Sequence, residues 1–400
     1  MRVALVLAQA IGQTGSGQFS INLALGLAEL GCAVDVYHYG GSPVGVGSEL
    51  VTYHDISKLS YSFTFPVPGM SDNMPYSSSV FKELSTLESD AYFDFWKQFF
   101  KDFSLESYDV WHINHLWLAS AIAKNTLKCP IVTTIHGTDL EQFDKCRDIA
   151  QYVRSMHPYK DSFFHFVSHG SFIKAASMDL CSVNTITVEP PYREDLFCPD
   201  PRVGDCDGRS IFVGKLTKRK GIEELLRAHF TLRKLIPSLH LDIVGSVDGG
   251  SYMFDEKEGK ASLRDGVMFH GHLSQRDLAE KMISCEIFVF PSWAESFGMV
   301  ALEAASRGLK IVMPRLSGAD LTLDRMCSSN QIFLFPPILG EDEPAREKFE
   351  LDFQNSWLDA IKSSRQFAVP NFAKEFGREA VAYRIMNELY LPAIRRAKLA

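Results

Sequence analysis

The sequence predicts an α/β protein of two domains, each organised on a parallel sheet. Three observations carry this. Short apolar runs alternate with helix-forming segments in both halves of the chain. A stretch of prolines, acids and glycine, from Glu189-Pro190-Pro191 to Asp207-Gly208, interrupts that alternation near the middle. Four hundred residues exceed one ordinary domain and fit two of moderate size. The expected division is 1–195 and 205–375, with 376–400 as a terminal helix.

Bulk properties narrow the class. Hydrophobic content of 46% and charged content of 22% are those of a soluble globular chain. A net charge of −8 speaks against a nucleic-acid partner held by bulk electrostatics. None of the eight cysteines forms a C-x-x-C pair, so zinc and thioredoxin-type chemistry lack support. Scattered reduced thiols point to a cytoplasmic protein. Met1–Ala10 has a charge, a short apolar run and an Ala-x-Ala ending, but a Gly-rich loop follows at once. A buried first strand is the better reading than a signal peptide. No run is long enough to span a membrane.

The chain opens with strand Val3–Leu7, the loop Thr14-Gly15-Ser16-Gly17, helix Phe19–Leu30 and strand Ala33–Tyr37. A dinucleotide site is the first alternative to weigh. The pattern lacks a third glycine, and Tyr37-His38-Tyr39 offers no acid for a ribose. Residues 40–47 and Phe63–Tyr76 read as irregular loop, and Phe81–Phe103 as an aromatic helix. Strands follow at Asp109–Ile113, Ile131–Ile135, Phe163–Val167 and Thr185–Val188, with helices His115–Asn125 and Ser171–Met178 between. His136-Gly137-Thr138-Asp139 stands just past a strand end, where open α/β sheets bind ligands.

The second half repeats the plan. Its strands are Ser210–Val213, His240–Val244, Val267–His270, Glu286–Phe290 and Lys310–Met313. Its helices are Ile222–Leu235, Gln275–Ser284 and Met299–Arg307, with a turn at Gly249-Gly250. Glu343–Ser363 and Phe372–Ala397 are terminal helices. The chemistry concentrates in two loops. Gly214 to Gly221 carries Lys215 and Lys220 between a strand and a helix, so both ammonium groups reach one anion. Lys218 and Arg219 read as a solvated helix start. Phe290 to Ala304 runs strand, loop, helix, with Glu295 in the loop and Glu303 in the helix. Backbone N–H groups at Ser296 to Met299 favour an anion there. Two carboxylates beside an anion site suit a ligand with hydroxyls and phosphate, such as a nucleotide sugar.

Glu295-x7-Glu303, with Phe297-Gly298 between, resembles the acidic signature of retaining glycosyltransferases of family 4, the glycosyl transferases group 1 type. Gly15-x-Gly17, His136 to Asp139, Val167-Ser168, Gly214-Lys215-Leu216 with Lys220-Gly221, and Phe269-His270-Gly271 resemble further motifs of that family. The resemblance implies the GT-B fold, two Rossmann-like domains facing across a cleft, with the last helix crossing back onto the first. It implies transfer of a hexosyl or N-acetylhexosaminyl group from a nucleotide diphosphate sugar, by default a UDP-sugar, with retention. It gives Glu303 the ribose hydroxyls, Glu295 and the amides of Ser296, Phe297, Gly298 and Met299 the donor sugar, and His136 the reacting face. Gly15, Gly17, Lys215 and Lys220 then serve the diphosphate. No metal is obligatory, because the basic turn supplies the countercharge. The acceptor, whether saccharide, lipid-linked or small molecule, is expected against the first domain with Phe63–Tyr76 lining it. Peripheral contact with the inner membrane face stays open.

The resemblance has departures. Lys215 stands where Arg is usual and loses the bidentate fork. Leu309-Lys310-Ile311-Val312, Ser317-Gly318-Ala319-Asp320 and Pro191-Tyr192-Arg193-Glu194-Asp195 replace familiar motifs. A hydrolase with paired carboxylates competes, but one acid on a loop and one inside a helix fit it poorly. A nucleotide-sugar epimerase, a sugar phosphorylase and a non-catalytic binding protein share the fold and remain alternatives.

Overall fold

The computed structural model describes residues 1–12, 14–43, 47–72, 74–104, 107–156, 162–203, 208–246, 262–364 and 367–399. The expected turn at Gly249-Gly250, Cys206 and the domain start at 205 lie outside these, as do residues 44–46 and Asn73 of the two loops. The chain divides into two compact units, Met1–Tyr192 with Ala373–Ala400, and Arg193–Phe372.

The first unit begins with β1 (Arg2–Leu7), α1 (Gly15–Glu29), β2 (Ala33–His38) and β3 (Val51–Asp55). The two-residue strands β4 (Pro68–Gly69) and β5 (Ser79–Val80) pair with each other before α2 (Thr86–Phe103). Then come β6 (Val110–Asn114), α3 (Leu118–Thr126), β7 (Ile131–Ile135), α4 (Thr138–Lys145) and α5 (Arg147–Met156). The series closes with β8 (Phe163–Phe166), α6 (His169–Ser177) and β9 (Asn184–Thr187). Its sheet runs β3-β2-β1-β6-β7-β8-β9, parallel throughout.

Covered on both faces, the central strands are mostly apolar, and β6 and β7 are buried at every position, including His112, Asn114, Thr133 and Thr134. Thr14 caps α1 by accepting from Gly17 N at 3.0 Å. Ser85 and Glu88 form a capping box on α2, which buries Tyr92, Phe95, Trp96, Phe99 and Phe100 on one stripe. Phe63, read as loop, is packed instead. It stacks on Tyr39 and on Phe65, each at 4.5 Å, beside the buried Val67 and Met70. The strand β3 and the helices α4 and α5 were not evident from the pattern.

The second unit contains β10 (Arg209–Val213), a 3₁₀ turn (Lys218–Lys220), α7 (Ile222–Leu235), β11 (His240–Val244), β12 (Ser262–Arg264) and β13 (Val267–Phe269). It continues with α8 (Gln275–Ile283), β14 (Ile287–Val289), α9 (Met299–Arg307), β15 (Lys310–Pro314), α10 (Ala319–Met326), β16 (Ile332–Phe335) and α11 (Glu343–Lys362). The order is β12-β13-β11-β10-β14-β15-β16, parallel except that β12 is antiparallel to β13. The α/β class with two parallel-sheet domains is therefore as the alternation predicts. Lys310, fully buried at the start of β15, pairs with Glu286 at 2.7 Å and donates to Ala360 O and Ser363 O, so it caps the end of α11 from the sheet.

The terminal segment, read as one helix, is broken. It forms α12 (Ala373–Phe376), α13 (Arg378–Ile385), a π turn (Met386–Tyr390) and α14 (Leu391–Leu399) in the first unit. Pro392 has no N–H, and Leu391 N donates five residues back to Met386 O, which widens the turn before it. Residue 26 must be glycine where α13 crosses α1, since a Cβ there would lie 2.1 Å from Arg378 O.

The π turn aims Tyr390 into the sheet. Its hydroxyl reaches His112 Nδ1 at 2.5 Å, and His112 Nε2 meets Thr134 Oγ1. Thr134 Oγ1 lies 2.9 Å from His165 Nδ1, and His165 Nε2 lies 2.7 Å from Val188 O. A carbonyl only accepts, so His165 Nε2 carries the proton at that end. Each proton along the chain then follows: Thr134 donates to His165, His112 to Thr134, and Tyr390 to His112. Replacing Tyr390→Phe leaves His112 Nδ1 buried without a donor. Urea unfolding should show a loss of about 1–3 kcal/mol, and an unchanged midpoint would contradict this chain.

Candidate functional site

In the second unit the candidate residues gather past the C-terminal ends of two adjacent parallel strands, β10 and β14. Lys215 follows β10 after Gly214, and Leu216 N donates to Ser246 O at 3.0 Å beyond β11. The 3₁₀ turn then carries Lys220 to Gly221, which has φ 70°. A Cβ at 221 would lie 1.9 Å from Pro291 O, so only glycine lets this turn touch the loop after β14. Trp293 N and Ser292 Oγ both donate to Arg219 O, at 2.8 and 3.3 Å.

Two side-chain contacts lock the same loops. Lys220 Nζ forms an ion pair with Glu295, and it also lies 5.5 Å from the centre of the Phe290 ring. Trp293 receives Lys218 at 5.2 Å and Arg346 of α11 at 5.4 Å. Lys218, read as solvated, is exposed yet caps this ring. Ser296 leads to the buried Phe297, whose carbonyl accepts from Ala319 N at 2.7 Å. Gly298 is the N-cap of α9, with no side chain capping the helix start at Met299. Asp320 is committed to its own turn, accepting from Gly318 N at 2.7 Å and Ser317 N at 3.3 Å.

Glu303 is 3% exposed, one turn into α9. Burial pushes its carboxyl up to about 8, against the opposing pull of Arg193. Arg193 itself is held in a bidentate pair with Asp195, at 2.7 and 2.6 Å. The Pro191 to Asp195 segment, odd as a family motif, thus supplies the cation facing Glu303.

Gly15, Gly17 and His136 belong to the first unit. Gly17 N is taken by Thr14 Oγ1, and Gly17 is buried while Gly15 is exposed. His136 follows β7 and is 7% exposed. Its Nε2 lies 2.8 Å from Asn114 Oδ1, and the Phe19 ring meets it edge-on at 5.1 Å. Burial holds it well below the usual histidine range, with His115, His165 and His112 adding repulsion. Asp139 accepts from the backbone N–H groups of Leu116, His136, Gly137 and Leu140, and burial raises its carboxyl to about 6.

The sequence reading missed His115, which it placed in a helix. It holds φ 74° just past β6, is 2% exposed, and lies 3.2 Å from Gln9 Oε1 through Nε2. His115 Nδ1 and Gln9 Nε2 are buried without a hydrogen-bond partner, although His115 Nδ1 lies 4.0 Å from Asp139 Oδ2. A strained non-glycine residue beside unpaired polar atoms marks a functional loop more than a packing one. The visible signal was Asn114-His115, a polar pair ending an apolar run. Among the described residues no group of three or more His, Cys, Asp or Glu side chains is arranged to hold a metal ion, and no helix is long and apolar enough to cross a membrane.

Residues 205–321 match the family Glycosyl transferases group 1. An uncharacterised glycosyltransferase of Bacillus subtilis, YqgM, is 30% identical over 212 residues, covering 50% of this chain and 56% of that protein. The match thus spans little more than half of that relative's length. Sucrose-phosphate synthase from Thermosynechococcus elongatus superposes with TM-score 0.66 at 17% identity, over 99% of both chains. Anabaena HepE, in complex with UDP and glucose, gives 0.59 at 14% identity, over 100% of this chain and 98% of its own. At these identities the likeness is one of fold, the GT-B fold of two parallel-sheet α/β domains.

The raised Glu303 carboxyl has a consequence for stability. Between about 4.5 and 8 the folded chain holds a proton that the unfolded chain releases, so this group's contribution is lost as pH rises through that window. Glu303→Gln stays neutral throughout. Its second unit should be more stable than the parent's at pH 8, by on the order of a few kcal/mol, with the gap closing toward pH 5. Thermal unfolding at the two pH values measures this. A gap that does not change with pH would contradict the assignment.

Proposed function

We propose that the protein carrying this group 1 domain is a glycosyltransferase that takes its sugar from a nucleotide diphosphate sugar, by default a UDP-sugar, and transfers it with retention. The observation that carries this reading is the Lys220–Glu295 pair, set on a strand-to-helix turn beside the uncapped start of α9. A cation and backbone N–H groups aimed at one point suit a diphosphate whose charge grows as the glycosidic bond breaks. A buried carboxyl at Glu303, next in the same helix, suits ribose hydroxyls. The complex of Anabaena HepE with UDP and glucose supports a uridine nucleotide as the first donor to try.

Lys220 and Glu295 neutralise each other. A bound diphosphate takes over Lys220, and Glu295 turns to the donor sugar's hydroxyls. Lys215 adds charge without the fork of an arginine. No metal is called on, and no side chain is assigned as a nucleophile. The leaving phosphate helps to deprotonate the incoming hydroxyl on the same face, which keeps the anomeric configuration. The sugar is a hexosyl or N-acetylhexosaminyl group, its acceptor a saccharide, lipid-linked or small molecule, and the setting the cytoplasm or the inner membrane face.

Two measurements test this. In Glu295→Gln the rival for Lys220 is gone, so UDP should bind several-fold tighter by calorimetry while sugar transfer slows. Lys220→Ala should weaken UDP about tenfold or more. Weaker UDP binding in Glu295→Gln would break the exchange model. The anomer of the product, read by NMR from a UDP-sugar panel, should match the donor's. An inverted product would remove retention, and a panel with no thermal shift for any nucleotide diphosphate would remove the transferase reading.

A further inference from the structure

The first unit contains a hydrogen-bond relay that decides which nitrogen of His136 carries the proton. Asn114 ends β6, and the next strand, β7, ends one residue before His136; Asn114 is fully buried. Its Nδ2 donates to Val6 O of β1 at 3.2 Å. A carbonyl oxygen only accepts, so the amide orientation is set, and Asn114 Oδ1 is left facing His136 Nε2 at 2.8 Å. An amide oxygen also only accepts. The proton of His136 therefore sits on Nε2, and Nδ1 keeps its lone pair.

We propose that Asn114 is a positioning residue that holds His136 as a neutral hydrogen-bond acceptor, presenting Nδ1 to a donating hydroxyl of the substrate. The role follows from the order of partners: backbone carbonyl, amide, imidazole. It excludes His136 as an acid or a cation in the reaction, since the relay commits its one ring proton to Asn114 Oδ1. The groups facing His136 agree with this. His112 on β6, His115 beyond it and His165 on β8 would all repel an imidazolium, and the Asp139 carboxylate is occupied by four backbone N–H groups. Phe19 closes the ring's edge. The proposal rests on the transferase reading for what the hydroxyl belongs to, but not for the tautomer.

Histidine ¹⁵N NMR of the ligand-free parent separates the two. The His136 signals should show a protonated Nε2 and an unprotonated Nδ1 across pH 6–8. A protonated Nδ1, or an imidazolium at neutral pH, overturns the proposal whatever the enzyme does. Asn114→Leu removes the acceptor at similar volume and should yield mixed tautomers. Its kcat with a UDP-sugar should fall about tenfold or more, with KM for the donor moving much less. Unmixed tautomers or an unchanged kcat in that variant would also overturn it. If no nucleotide sugar is turned over by the parent, the transferase reading fails, and the NMR arm still decides the role of Asn114.

Discussion

Pro291 O occupies the place where any side chain at residue 221 would have to begin, and the second unit's candidate site is built on that contact. Because the turn at 218–221 rests directly on the loop after β14, Arg219 O can receive both Ser292 and Trp293. Lys220 is thereby delivered to Glu295 and Phe290. Lys218 and Arg346 meet on one indole, which ties α11 into the same cluster. A bulkier residue at 221 would part the two loops and separate the cation from the carboxylate. The basic turn and the acidic loop are far apart in sequence, and one backbone approach makes them a single site.

Buried polarity takes two forms in the two units, neutral rings and compensated charges. Among the described residues the first unit buries five histidines, His38, His112, His115, His136 and His165, each lowered from its ordinary range by desolvation. The protons of His112 and His165 are ordered from Val188 O, and that of His136 from Val6 O through Asn114. The second unit buries charges in compensated groups. Asp242 gathers Arg209, Lys281 and His270, and its carboxyl is held far below the usual range by those partners. Lys310 sits with Glu286 and two carbonyls. A buried neutral relay avoids the desolvation cost of a charge, and a buried charge is tolerated where partners compensate it.

Parallel strands buried on two faces are mostly apolar runs, and helices between them carry apolar stripes, so the α/β class and two sheets were legible without coordinates. So were the acids of the 295–303 stretch and the lysines of the 215–220 turn, as residue types with a chemistry. Other elements were hidden. The edge strand β3 reads Val-Thr-Tyr-His-Asp, too polar to stand out. The aromatic run at 63–65 looked like loop because its partners, Tyr39 and Phe95, come from elsewhere in the chain. The terminal helix looked continuous because the cost of Pro392 is met by a change of hydrogen-bond register, which periodicity does not encode.

What the sequence determined by itself is local: strand and helix periods, capping residues, glycines at turns and the identity of the reactive groups. Tertiary structure alone decided which groups meet and in what protonation state. Lys220 finds Glu295 rather than solvent, Glu303 is raised by burial beside Arg193, Asn114 orders the proton of His136, and Asp320 is spent on its own turn. The reason is physical. Electrostatic and hydrogen-bond energies depend on distance and on the dielectric around a group, and both are set by residues remote in the chain.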